Sequence, residues 1–260
     1  MLKAGIFLDV ENLTRNGGWG IRYEVIKELA EAQGTTVLRA NAYLAMDSDR
    51  EKEDAKYRIR SQDYRAAIRR TGFHLVHKMV KRYVDADGVT VVKANADLDL
   101  AVDALLQSEN LDYILLGSGD GDFLRLVRAL QNRGKRVDLL SFANTSTELT
   151  MEVDNHFSGF MIPGILRPEG EEQIRNRGIM HAVNEERGYG FITMNTGLKP
   201  TDVRYDIFCH ITDMRVNGNG YAMDNDTFAR LKTRRTILEF DLDELEDGRV
   251  KAINVEELMW

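Results

Sequence analysis

A single cysteine, Cys209, in 260 residues excludes an intramolecular disulfide and a multi-cysteine zinc site, and it suits a reducing compartment. Long hydrophobic runs are missing near the start as well. The longest early apolar stretch, within AGIFLDV, is interrupted by Asp9 and is too short for a signal-peptide core or a membrane span. A cytoplasmic location with no membrane partner is therefore expected. Nor is there an excess of positive charge: the net charge of −7 argues against a uniformly basic nucleic-acid binder. Internal repeats are absent too. What is present, 43% apolar and 30% charged residues, describes an ordinary folded protein long enough for two domains.

The charge is segregated along the chain. From Arg50 to Lys93 twelve Lys/Arg face six Asp/Glu, whereas residues 170 to 260 carry twelve against seventeen. An anionic ligand is expected to meet the surface carrying Arg58, Arg60, Arg65, Arg69, Arg70, Lys78, Lys81 and Arg82 first. For any one of these residues a solvated helix face is the bland alternative.

Up to about residue 163, apolar β-type runs alternate with helical patterns. Strands are expected at 3–9, 36–45, 73–80, 112–117 and 136–142, and helices at 21–32, about 50–71, 98–108 and 122–133. A short extended piece at 89–92 and a short helix with a final strand complete the set. Such alternation implies parallel βαβ crossovers. Pro163, Gly164 and Pro168, followed by EGEE, read as a linker over 164–175. From residue 176 to 260 the pattern changes to short strands, including GFITM, DIFCHI, TILEFDL and VKAINV, separated by Gly, Asn and Asp turns as in a small barrel.

Four carboxylates fall where strands end and helices begin: Asp9 in FLDVEN, Asp97 in NADLDL, and Asp120 and Asp122 in LGSGDGDF. In an open parallel sheet those ends share one crevice. Two like charges about 4 Å apart repel by roughly 4 kcal/mol at an effective dielectric near 20, so such a cluster calls for protons, basic side chains or divalent cations. Mg²⁺ or Mn²⁺ serving phosphodiester chemistry is the expectation. Asn12 and Ser118 are polar neighbours of the same junctions. A plain helix N-cap is the alternative for each acid. Ordinary caps vary among Ser, Thr, Asn and Gly, however, and here every candidate junction supplies Asp.

These motifs, FLDVEN at 7–12, KANADLDLAVDAL at 93–105 and LLGSGDGDFLRLVRAL at 115–130, resemble the NYN family of PIN-like nucleases, in particular its LabA-related bacterial branch. The resemblance implies an α/β fold with a PIN-like parallel sheet flanked by helices over 1–163. It also implies a Mg²⁺- or Mn²⁺-dependent ribonuclease, a hydrolase acting on phosphodiester bonds, with Asp9, Asp97, Asp120 and Asp122 as metal ligands and catalytic residues. Asn12 and Ser118 accompany them, and Asp103 matches a further acidic position. KANA stands where the family more often has a Gly-containing turn. A haloacid-dehalogenase-like phosphatase shares some letters, but Glu11 stands two residues after Asp9 and the later acids are two apart instead of four.

RGYGFITM at 187–194 and YDIFCHIT at 205–212 resemble the two nucleic-acid-binding strands of cold-shock domains, small OB-type barrels. Tyr189 and Phe191 alternate onto one face, as do Phe208 and His210 on the next strand, giving a platform for unstacked bases with Arg187 beside it. Filling of a barrel core is the alternative reading of these rings. Ala182 stands where cold-shock domains usually place Trp, and residues 193–205 read as an enlarged connection. Trp19, in NGGWG, is expected to pack over the first helix, with stacking on a base as the alternative; the segment lacks the Gly-Lys-Ser/Thr ending of a phosphate loop. The combined expectation is a metal-dependent endoribonuclease acting on single-stranded RNA. A non-cleaving RNA-binding regulator that keeps the fold is the alternative, and a homo-oligomer is left open.

Overall fold

The structure, a computed structural model, describes residues 1–84, 90–93, 96–168, 175–215, 223–244 and 248–259, with side chains left out from 81 to 95. Lys81, Arg82 and residues 169–174 of the expected linker therefore lie wholly or in their side chains outside the described residues. The chain forms two compact units, Met1–Gly159 and Phe160–Trp260.

The first unit is built on six parallel strands: β1 (Leu2–Asp9), β2 (Thr35–Met46), β3 (His74–Met79), β6 (Tyr113–Gly117), β7 (Arg136–Ser141) and β8 (Asn155–Ser158). Their spatial order is β3-β2-β1-β6-β7-β8. Helices flank the sheet, so its central strands are buried on both faces and read as unbroken apolar runs. Ala4 to Leu8 of β1 and all five residues of β6 are buried. Between β3 and the helical region that follows, β4 (Lys81–Val84) and β5 (Thr90–Lys93) pair as an antiparallel ribbon, which accounts for the extended piece expected at 89–92.

The helices are α1 (Val10–Arg15), α2 (Tyr23–Ala32), α3 (Ser48–Glu53), α4 (Ala55–Arg70), α5 (Asp97–Gln107), α6 (Leu124–Gln131) and α7 (Thr147–Glu152). The single helix expected at about 50–71 is two. Asp54 is extended, and its side chain accepts the Tyr57 N–H at 2.9 Å, restarting the helix as an N-cap. The apolar side chains of α5, α6 and α7 pack with β6 and β7 around Phe7, Leu116, Phe123, Val127 and Leu139.

The second unit contains a closed barrel of β9 (Asn176–Asn184), β10 (Tyr189–Asn195), β11 (Val203–His210), β12 (Ile237–Glu244) and β13 (Val250–Glu257), ordered β10-β11-β13-β12-β9. The β10–β11 connection is shorter than the sequence suggested, because the strands extend to Asn195 and from Val203. Helix α8 (Asn225–Thr233), capped by Asp224 accepting from Thr227 N–H at 2.7 Å, was not foreseen. It inserts Phe228 and Leu231 into a core of Ile192, Ile207, Leu238 and Phe240. Cys209 is buried there as a free thiol, and burial pushes it up to about 12, so it is an inert core residue.

Candidate active site

Strand order reverses between β1 and β6: from β1 the chain builds outward through β2 and β3, then returns to β6 on the other side. Ligands of open α/β sheets bind outside the carboxyl ends of the strands at such a switch point. In this chain Leu8 pairs with Gly117, so the next residues, Asp9 and Ser118, emerge side by side at that crevice.

Asp9 ends β1 and caps α1, accepting the Asn12 N–H on Oδ1 at 3.0 Å, while Ser118 Oγ donates to Oδ2 at 3.4 Å. Asn12 reaches across in turn, and its Oδ1 accepts the Gly119 N–H at 2.8 Å. Ser118 Oγ accepts the Asp120 N–H at 3.2 Å, and Asp120 Oδ1 accepts the Asp122 N–H at 2.9 Å. Asp9, Asn12, Ser118 and Asp120 thus form one hydrogen-bonded chain. The tight approach explains Gly117, where a Cβ would fall 2.4 Å from Leu8 Cδ2, and Gly119, where one would press on Thr145 Cα at 3.2 Å.

Asp97 opens α5 behind Ala96, which makes no side-chain cap bond. Its charge reaches Asp9: burial pushes the Asp9 carboxyl up to about 6, with the negative charges of Asp97 and Glu11 adding to the rise against the backbone bond from Asn12. Asp122 is exposed, and the contact that ties it to the group is its backbone N–H. Among the described residues no group of three or more His, Cys, Asp or Glu side chains is placed to hold a metal ion. Asp9 and Asp120 both act as N-caps, each through Oδ1.

The buried acids of this unit, unlike half-buried Asp9, are paired with arginine. Asp138, fully buried, accepts from Arg136 at 3.0 and 2.8 Å and from Tyr113 Oη at 2.9 Å. Glu51 is held by Arg65 at 2.5 and 3.2 Å. None of the leading influences on Asp9 is a cation, and among the described residues Asp9, Asp120 and Asp122 form no ion pair with Lys or Arg. The side chains joined here, Asp9, Asn12, Ser118 and Asp120, offer oxygen donors, the type that a hard cation takes.

Two neighbours of the site were only partly visible in sequence. Tyr43 Oη donates to Asp103 Oδ2 at 2.9 Å, which holds α5 against β2. Lys78 pairs with Asp99 at 2.8 Å. Lys78 and Arg65 of the expected basic surface are therefore engaged by acids, whereas Arg58, Arg60, Arg69 and Arg70 are exposed.

The raised Asp9 value carries a pH signature. A carboxyl at about 6 in the fold against 3.8 in the open chain favours folding fully below about 3.8, and that contribution is lost as pH rises through about 6. Asn keeps a capping oxygen and removes the charge. Asp9→Asn is expected to match wild type near pH 4 and to be more stable by about 2 kcal/mol at pH 8, read from denaturant titrations at both values. Equal stability of the two proteins at pH 8 would show that Asp9 is not under strain.

On the barrel, alternation places Tyr189, Phe191, Phe208 and His210 on the opposite side from buried Ile192, Ile207 and Cys209. The rings do not fill the core. Tyr189 and Phe208 lie 5.7 Å apart with planes tilted 31°, and Phe191 stands edge-on to both at 6.2 and 6.0 Å. Sequence reasoning missed His181 and Tyr205, which extend the cluster: His181 is 6.5 Å from Phe191 and 6.2 Å from Tyr205. His210 lies opposite Tyr189 in register, with Nδ1 against Thr212 Oγ1 at 2.8 Å. Arg187 is exposed in the β9–β10 turn. Gly190 is small because β9 is near, a Cβ there falling 2.5 Å from the Ala182 carbonyl.

The NYN domain family model matches residues 3–161, more than half the chain, and this chain belongs to that family. NYN domains are PIN-like and typically nucleases, which makes the first unit a nuclease-like domain. Among characterised relatives it is similar to the low amplitude and bright protein LabA of Synechococcus elongatus (strain ATCC 33912 / PCC 7942 / FACHB-805). The two are 23% identical over 145 residues, 54% of this chain and 73% of that one. A crystal structure of a Vibrio parahaemolyticus RIMD 2210633 protein of unknown function matches with 29% identity and a TM-score of 0.47, covering 60% of this chain and 92% of that one. No helix among the described residues is long and apolar enough to cross a membrane.

Proposed function

We propose that the chain is a divalent-metal-dependent endoribonuclease whose second unit is an OB-type, cold-shock-like barrel that binds single-stranded RNA. The observation that supports it most is the half-buried Asp9 carboxylate at the β1/β6 switch point, raised further by the charge of Asp97 and paired with no Lys or Arg among the described residues. Asp9, Asp97, Asp120 and Asp122 would hold Mg²⁺ or Mn²⁺. When bound, that ion supplies Lewis-acid stabilisation of the phosphate and lowers the pKa of water. Asn12 and Ser118 fix the loop: one grips the Gly119 N–H, and the other links Asp9 to the Asp120 backbone. With Asp9 and Asp120 each using one oxygen as a cap, their carboxylates are held in place before substrate arrives.

The barrel order, with β11 and β13 parallel and adjacent, is compatible with an OB fold. Its Tyr189, Phe191 and Phe208 faces would stack on unpaired bases, with His210 and Arg187 at the edge of the platform. A barrel tethered to the nuclease-like domain raises the effective concentration of RNA there. Labelled RNA incubated with Mn²⁺ and wild type, Asp9→Asn or Asp120→Asn tests the enzyme. Cleavage by wild type alone supports it, and equal cleavage by all three points to a contaminant.

One observation favours a second reading, a non-cleaving RNA-binding regulator: the absence of a three-ligand cage among the described residues. That reading gains if RNA binding depends on Tyr189 and Phe208 while no RNA is cut.

A further inference from the structure

A groove of about 590 Å³ opens on the first unit beside the acidic site, within the size range of roughly 300–1,000 Å³ typical of ligand sites. Its wall begins with Val10 and Glu11, the two residues after Asp9, and continues through Leu44 and Ala45, just past Tyr43, the β2 partner of Asp9. Beside small Thr14, Gly20 and Ser61, the rest of the wall is aromatic and basic: Trp19, Tyr57 and Tyr64 with Arg50 and Arg60. Trp19 is 72% exposed, so it does not pack over the first helix as the sequence suggested. An indole left this far in water beside a groove is out of keeping with the buried Tyr23 and Phe73 close by.

The other rings are fixed. Tyr64 Oη is 2.8 Å from the hydroxyl of buried Tyr23, and the Arg50 guanidinium lies 4.2 Å over the Tyr57 ring. Arg50 and Arg60 form no carboxylate ion pair among the described residues, in contrast to Arg65 one turn on, and Glu11 is taken up by Arg15. Pre-placed aromatic faces interleaved with exposed guanidinium groups match a base and its phosphate, an arrangement common to single-strand binding surfaces.

We propose that this groove is a base-stacking subsite for the unpaired nucleotide flanking the cleaved phosphate of single-stranded RNA. Trp19 stacks on the base, and Arg50 and Arg60 take the adjoining phosphate. The subsite rests on the ribonuclease reading for its purpose, but its occupancy can be measured without catalysis.

In the 260-residue chain, Trp260→Phe leaves Trp19 as the sole indole. Tyr189→Ala and Phe208→Ala in the same chain remove the platform of the second unit. A fluorescein-labelled short oligoadenylate is titrated in EDTA, following label anisotropy and Trp19 emission together. Trp19 emission is expected to quench on the anisotropy curve. Adding Trp19→Ala should weaken binding about tenfold. Arg60→Ala should weaken it and reduce the salt slope by about one. Both side chains are exposed, so loss of the fold is not the expected cause. Anisotropy that rises with no change in Trp19 emission, or no binding at all, overturns the subsite and leaves the groove to another occupant such as a peptide. Cleavage assays are read separately: quenching without metal-dependent cleavage leaves the subsite standing and ends the nuclease reading.

Discussion

Asp9→Asn is expected to reduce Mn²⁺-dependent RNA cleavage by about two to three orders of magnitude, the usual loss when one pre-organised electrostatic contribution to a transition state is removed. The same substitution should make the protein more stable at neutral pH, because the Asp9 carboxyl is raised to about 6 by burial and by the charges of Asp97 and Glu11. Opposite signs for activity and stability separate a functional acid from a structural one. Asp138 is the internal contrast: its carboxylate is satisfied by Arg136 and Tyr113, so Asp138→Asn should lower stability through broken pairing. Single-turnover cleavage and thermal melts on the same preparations measure both effects. A variant with full cleavage, or one that loses activity only because it unfolds, would contradict this role.

Replacing Tyr189 and Phe208 together by Ala is expected to weaken single-stranded RNA binding about 100-fold. Stacking contributes roughly 1 to 3 kcal/mol per base, and the two rings, 5.7 Å apart, offer neighbouring faces. Both are half-buried beside a core formed by other residues, so the barrel itself should survive. Anisotropy with labelled oligoribonucleotides reads the affinity, and far-ultraviolet dichroism checks the fold. Unchanged affinity would mean that the platform does not bind RNA.

Much of the sheet was legible because burial on both faces leaves an unbroken apolar record in β1 and β6. Shorter or more polar elements were not. Helix α1 spans six residues with only Val10 and Leu13 buried, and α8 shows two buried anchors, Phe228 and Leu231, among polar residues. The break between α3 and α4 lacks Gly or Pro and depends on the cap made by Asp54. At the candidate site, residue type and strand-end position pointed to Asp9, Asn12, Ser118 and Asp120, which the fold joins through hydrogen bonds.

Three-dimensional pairing had no linear signature. The letters placed Asp9 at a strand end but did not show that Asp138 is bound by Arg136 while Asp9 has no Lys or Arg partner among the described residues. His181 and Tyr205 were missed for a similar reason, since the ring cluster they join spans three strands. Trp19 is exposed beside a groove that Arg50, Tyr57 and Arg60 also line, and sequence periodicity does not report such a gap.

Asp9, Asp97 and Asp120 are proposed to bind one divalent cation at the β1/β6 switch point. Calorimetric titration of Mn²⁺ into wild type, Asp9→Asn and Asp97→Asn tests it most directly. Saturable binding by wild type, accompanied by proton release near pH 6 and weakened at least tenfold in each variant, is the predicted result. Equal binding by all three proteins, or none at millimolar Mn²⁺, would contradict it.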